Sequence, residues 1–194
     1  MILKDPYILV ENLFTEQELS NIIGLGEELK PQNAKTYGVR EQYRDSHVSW
    51  IELGFQTKWL YKKLIDKMKE VNDSNWKFQH QLVEKLQYTR YDTSQHYNWH
   101  PDQRTEPYTL QDGDDAMIGL VRKISFSVLL NDDYEGGNFE IEYGLPDSDD
   151  RVKTILPKKN LTIFFPSFIM HRVTPVTNGT RRSLVGWVCG QPYQ

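Results

Sequence analysis

The chain carries one cysteine, Cys189, in 194 residues, so no disulfide can close within it and nothing demands an oxidising compartment. With no neighbouring cysteines, the commonest structural zinc arrangements are excluded too. No stretch approaches the roughly 18 consecutive apolar residues of a membrane-spanning helix. The most apolar segment, Leu161 to Met170, is broken by Thr162, Pro166 and Ser167. Positive charge is also in short supply. The 23 Lys and Arg against 27 Asp and Glu give a net charge of −4, which argues against a nucleic-acid partner held by phosphate attraction. There is no internal repeat and no linker-like segment. The opening MILKDPYILV places Asp5 and Pro6 where a secretory leader needs its apolar core. The expectation is an unprocessed cytoplasmic protein with no membrane or nucleic-acid partner.

What is present suits a globular domain: 38% apolar, 12% aromatic and 26% charged residues. The length fits a single domain spanning 1–194. Thr15 with Glu18 three residues on forms a capping box, and Leu19, Ile22, Ile23, Gly26 and Leu29 follow at helical spacing until Pro31. A second helix is predicted from about Thr57 to Val71, burying Leu60, Leu64, Met68 and Val71 and exposing a lysine-rich face. From residue 78 onward short β-rich runs alternate with turn clusters such as Asn131-Asp132-Asp133, Gly136-Gly137, Pro146-Asp147-Ser148-Asp149 and Asn178-Gly179. The fold class is therefore mainly β with supporting helices: a helical support region over 1–80 and a β core over 81–194. The stretch between Asp102 and Arg122 has weak periodicity and reads as a long loop of the kind that forms lids or binding sites.

The chemistry-bearing segment is Tyr97-Asn98-Trp99-His100-Pro101-Asp102. In an extended chain residues i and i+2 share a side, so His100 and Asp102 can reach one point, and Pro101 keeps His100 extended. A third ligand has to come from elsewhere. His47, His80 and His96 lie upstream, and His171 lies in a late β-rich run. Two histidines and a carboxylate on a β scaffold form the facial triad associated with non-haem Fe(II). Ten residues after His171 comes Arg181, which shares a strand face with Ser183. Projecting into a barrel, Arg181 needs an anion: a dicarboxylate ligand, or a protein carboxylate at the rim. Cys189 and Trp187 read as core, and Gly136-Gly137 as a tight turn or bulge.

The sequence resembles the Fe(II)/2-oxoglutarate-dependent dioxygenases, in their prolyl 4-hydroxylase and PKHD-type hydroxylase branch. The likeness runs from about residue 82 to 190. It rests on Tyr91 through Tyr97 leading into His100-x-Asp102, on Lys123-Ile124-Ser125 to Leu130-Asn131-Asp132-Asp133-Tyr134-Glu135-Gly136-Gly137, and on His171-Arg172-Val173-Thr174-Pro175-Val176 to Gly179-x-Arg181.

The resemblance implies a double-stranded β-helix, a cupin-like jelly-roll with the N-terminal helices packed on one sheet. It implies that His100, Asp102 and His171 hold Fe(II), that 2-oxoglutarate chelates the iron, and that its distal carboxylate meets Arg181, with Tyr91 and Ser183 nearby. Dioxygen is the other cosubstrate and ascorbate the reductant. The implied reaction hydroxylates an unactivated C–H bond, of a prolyl residue in a peptide or protein, and releases succinate and CO2. Some prolyl hydroxylases carry a tyrosine near the cosubstrate carboxylate where this chain has Leu129. Two further readings stay open: an oxygenase of a small molecule or nucleic-acid base, and a non-catalytic ligand-binding jelly-roll module.

Overall fold

The computed structural model describes residues 5–34, 43–112, 114–143 and 151–193; the turn expected at Pro146-Asp147-Ser148-Asp149 lies outside them. Among the described residues, eight strands form an antiparallel major sheet. Its order is Ile8–Glu11, Leu161–Pro166, Val121–Leu129, Arg181–Gly190, Leu86–Tyr91, His47–Ile51 and Gln32–Asn33, with Leu82–Val83 pairing beside Arg181–Gly190. A five-stranded minor sheet runs Val152–Ile155, Phe139–Glu142, His171–Val173, His96–His100 and Arg44–Asp45. The result is the jelly-roll architecture, with both helices on one sheet.

Two apolar layers explain this arrangement. Helix α1 (Glu16–Glu28) and helix α2 (Lys58–Asn75) lay Leu19, Ile22, Leu60, Leu64 and Met68 on Leu86, Tyr88, Ile124, Phe126 and Leu184, which form the outer face of the major sheet. Because side chains alternate across a strand, Tyr91, Leu129, Ile163 and Phe165 point the opposite way. There they meet Phe139, Ile141 and Val173 of the minor sheet and make the inter-sheet core. The strands through the middle of the major sheet are thus buried on both faces, which is why they read as continuous apolar runs.

Helix α1 begins with the predicted capping box. The Thr15 hydroxyl accepts from the Glu18 N–H at 3.2 Å, and the Glu18 carboxylate accepts from the Thr15 N–H at 2.7 Å. Helix α2 runs four residues beyond the predicted end. Those residues carry little apolar signal, and the helix ends where the Asn72 carbonyl accepts from the Trp76 and Lys77 N–H groups. Its lysines are a solvated face carrying ion pairs to Asp66 and Glu70, except that Lys63 reaches across to Glu18 of α1 at 2.6 Å. The first 80 residues also contribute strands, including Ile8–Glu11 and His47–Ile51. The first is an edge strand and the second lies between Leu86–Tyr91 and Gln32–Asn33; both are too short for periodicity to reveal. The described residues of the 103–120 segment form a loop with two short 3-10 turns, Leu110–Asp112 and Asp115–Met117, cinched by hydrogen bonds between Tyr108 and Leu120 and between Gly119 and Tyr108.

The two glycines of α1 separate propensity from packing. A Cβ at Gly24 meets nothing within 4 Å, whereas one at Gly26 overlaps the Tyr88 ring. Gly24→Ala should therefore stabilise the protein by about 0.5–1 kcal/mol, and Gly26→Ala should destabilise it by about 1–3 kcal/mol. Urea midpoints check this; a neutral Gly26→Ala would contradict the close helix–sheet contact.

Candidate metal centre and anion pocket

The strands His96–His100 and His171–Val173 pair antiparallel with His171 directly opposite His100. Their rings come together at a centroid distance of 4.2 Å. Two residues on, the chain is pinned where the Asp102 and Gln103 N–H groups both donate to the Ser167 carbonyl, at 2.9 and 2.8 Å. This turns the Asp102 carboxylate toward the imidazoles: Oδ2 lies 3.5 Å from His171 Nε2 and Oδ1 lies 3.8 Å from His100 Nε2. Both separations exceed a hydrogen bond. Two atoms each about 2.1 Å from a shared ion can stand up to about 4.2 Å apart, so both distances suit a common metal.

The orientation of each imidazole follows from its other nitrogen. His100 Nδ1 lies 2.6 Å from the Asn98 carbonyl and His171 Nδ1 lies 3.0 Å from the Ile169 carbonyl. A carbonyl only accepts, so each Nδ1 carries the proton and each Nε2 lone pair faces Asp102. Packing fixes the rings: Tyr97 stacks on His100 with centroids 3.4 Å apart, and Phe165 meets His171 edge-on at 4.7 Å. Burial, reinforced by His171, pushes His100 down to about 3, which keeps it neutral. Burial alone would raise Asp102, but His171, His100 and Arg122 outweigh it and hold the carboxylate ionised. Asp102 Oδ2 is nevertheless buried without a hydrogen-bond partner among the described residues. Two inward-facing imidazole nitrogens and an ionised carboxylate with an orphaned oxygen are a donor set that fits a divalent cation.

The second feature lies in the same inter-sheet layer. Arg181, 1% exposed, pairs across the sheet with Tyr91, and its guanidinium stands 5.4 Å from the Tyr91 ring centroid. Nη1 donates to the Ser183 hydroxyl at 2.9 Å. Nε and Nη2 are buried without a partner among the described residues. Gly137, with φ of +56°, makes room for it: a Cβ there would lie 3.1 Å from Arg181 Cδ and 3.2 Å from the Tyr134 ring. A buried cation with no carboxylate partner among the described residues is costly for the protein alone and is complementary to an anion.

The structure thus brings His100, Asp102 and His171 together, and Arg181, Tyr91 and Ser183 together. His96 is half-buried, with Nδ1 3.4 Å from the Ser94 carbonyl, and Trp99 packs beneath Arg172. Leu129 lies in the inter-sheet core opposite Ser183. Sequence reasoning missed Tyr134, whose hydroxyl burial raises while Arg181 draws it down. It also missed Arg122 and Glu84, whose carboxylate and guanidinium join at 2.6 Å. Trp187, expected as plain core, has the Arg122 guanidinium 3.9 Å from its ring centroid.

Comparison with known proteins gives three findings. The family profile of the 2OG-Fe(II) oxygenase superfamily matches residues 86–189. A PKHD-type hydroxylase of Picosynechococcus sp. is 34% identical over 131 residues, covering 64% of this chain and 52% of that protein. The chain spans about half the length of this curated relative. Among solved structures, a viral collagen prolyl hydroxylase from Paramecium bursaria Chlorella virus-1, in complex with 2OG, superposes with a TM-score of 0.70 at 21% identity, covering 96% of this chain and 97% of that one. A Trichoplax adhaerens prolyl hydroxylase in complex with a hypoxia inducible factor peptide fragment superposes with a TM-score of 0.69 at 18% identity, covering 95% and 84%.

If Arg181 is an uncompensated buried cation, replacing it with an apolar side chain of similar length removes a penalty. Arg181→Met should raise the stability of the ligand-free protein by about 1 kcal/mol or more. A lower denaturant midpoint would show that the guanidinium is already satisfied.

Proposed function

Starting from the premise that the chain belongs to the 2OG-Fe(II) oxygenase superfamily, we propose that it is a 2-oxoglutarate-dependent dioxygenase hydroxylating a prolyl residue of a peptide or protein. The observation that carries this reading is the buried guanidinium of Arg181, with no carboxylate partner among the described residues, in the same inter-sheet layer as the His100, Asp102 and His171 cluster. A metal cluster alone would suit many reactions. Coupled to a buried anion pocket, it selects a cosubstrate that binds a metal at one end and presents a carboxylate at the other.

In this reading His100, Asp102 and His171 hold Fe(II), and Arg181 anchors the distal carboxylate of 2-oxoglutarate with Ser183 and Tyr91 beside it. The bound iron, with 2-oxoglutarate and dioxygen, supplies the oxidising power for C–H hydroxylation, with succinate and CO2 as coproducts. The chain's own residues bind, orient and exclude water. Asn98 and Ile169 carbonyls hold the imidazoles in the metal-binding tautomer, Ser167 fixes the Asp102 backbone, and the Phe139, Phe165 and Tyr97 rings shield the centre. No side chain is needed as a general base. Residues 1–194 work as one catalytic domain, in which 1–80 add two helices and edge and inner strands to the barrel of 81–194.

The peptide substrate is supported by the hydroxylase name of the relative and by the peptide complex of the Trichoplax protein. Among the described residues no helix is long and apolar enough to cross a membrane. The one free cysteine suits the reducing cytoplasm, where ascorbate would keep the iron reduced.

Incubation with Fe(II), 2-oxoglutarate, ascorbate and a panel of proline-containing peptides should yield succinate and a peptide heavier by one oxygen, read by mass spectrometry. His171→Ala should abolish turnover. Arg181→Ala should chiefly raise the KM for 2-oxoglutarate, by a factor of ten or more for a lost charge-assisted contact, roughly. Unmodified peptides across the panel would count against a prolyl substrate, and full activity of His171→Ala would remove the metal assignment.

A further inference from the structure

We propose that Glu84 is a positioning residue that ties the 103–120 loop to the metal carboxylate through Arg122. Glu84 lies in the link between the strands Leu82–Val83 and Leu86–Tyr91, its N–H donating to the Trp187 carbonyl at 3.0 Å and its side chain 10% exposed. Three donors converge on its Oε1: Arg122 Nε at 2.6 Å, the Tyr108 hydroxyl at 2.9 Å and the Cys189 thiol at 3.2 Å. Oε2 accepts from Arg122 Nη2 at 2.7 Å, which makes the ion pair bidentate.

Arg122 reaches this place because the sheet carries a bulge. In the pairing of Val121–Leu129 with Arg181–Gly190, Val188 faces Ile124 but Cys189 faces Arg122, so Lys123 is an extra residue. A bulge re-aims the side chains beside it. With its fork locked by Glu84, Arg122 turns its remaining nitrogen, Nη1, to the Asp102 carbonyl at 3.4 Å. Asp102 is then held on both sides of its side chain: its N–H by the Ser167 carbonyl at 2.9 Å and its C=O by Arg122. The carboxylate that faces His171 projects from between those two anchors.

Stability does not account for this pair, since apolar residues of similar volume fill such a site as well or better. Fixing a ligand does account for it, because groups behind a metal ligand set its orientation and the affinity of the site. Tyr108 adds the loop to the chain of contacts. It packs with Met117, Leu120 and Cys189, so a shift of the loop withdraws a donor from Glu84, loosens the Arg122 fork and frees the Asp102 backbone.

This inference rests on the reading of His100, Asp102 and His171 as metal ligands, and the experiment separates the two. Co(II) is titrated into the wild type and into Tyr108→Phe, Glu84→Gln and His171→Ala, following affinity and the visible d–d absorption, with thermal midpoints of the metal-free proteins measured in parallel. Expected are loss of binding in His171→Ala, a ten- to hundredfold weaker affinity with an altered spectrum in Glu84→Gln, roughly, and a loss of about threefold in Tyr108→Phe at an unchanged midpoint. If Glu84→Gln does not fold, Tyr108→Phe, which removes one hydroxyl, decides alone. Wild-type affinity and spectrum in Tyr108→Phe and in any folded Glu84→Gln, with His171→Ala dead, overturn the positioning role and leave the metal site standing. Retained binding in His171→Ala overturns both.

Discussion

The pairing of His171 with His100 across two antiparallel strands is the constraint on which the rest depends. Because strand side chains alternate with a period of two, a slip of one residue would turn one imidazole out of the barrel. The register is held by the minor sheet itself, where Phe139 faces Val173 and Ile141 faces His171 on the strand's other edge. It is also held by apolar rings that fill the inter-sheet layer around the histidines. The third donor cannot come from that ladder, since Asp102 lies beyond the strand end. Backbone bonds to Ser167, and through Ser167 to Lys123, therefore bring it back to the same point from the major sheet. The cluster is a joint between the two sheets.

The same layer carries a guanidinium that no carboxylate neutralises among the described residues. An unpaired guanidinium in an apolar core opposes folding by several kcal/mol, roughly. It persists where a ligand supplies the counter-charge, and Gly137 at positive φ clears the space for its side chain. In the proposed reading, a guanidinium without a counter-charge among the described residues and a donor set that suits a divalent cation, both in the inter-sheet layer, together favour a metal and a carboxylate-bearing chelator. Neither group alone would define that chemistry.

Much of this architecture is legible in the sequence. The His-x-Asp spacing needed only the alternation of an extended chain, and Arg181 and Ser183 shared a face for the same reason; both relations are local. The capping box of α1 is local too. What could not be read depends on register between distant strands. Arg122 looks like any strand-edge arginine until the bulge at Lys123 re-aims it, and Glu84 looks like a surface acid until Tyr108, Cys189 and Arg122 close around it. Tyr134 stood in the motif beside Gly136-Gly137, but only the turn of those two glycines at positive φ carries it to Arg181. The strands Ile8–Glu11 and His47–Ile51 were hidden because the major sheet, and not their own patterning, defines them.

The central claim is that one pocket joins a metal to a dicarboxylate. Calorimetric titration of 2-oxoglutarate into the Mn(II)-loaded protein tests it most directly, with metal-free protein and the monocarboxylate 2-oxobutyrate as controls. The account predicts binding that needs the metal and that weakens at least about tenfold, or 1.4 kcal/mol, when the distal carboxylate is missing. Equal affinity for the two acids, or binding of 2-oxoglutarate indifferent to the metal, would contradict it.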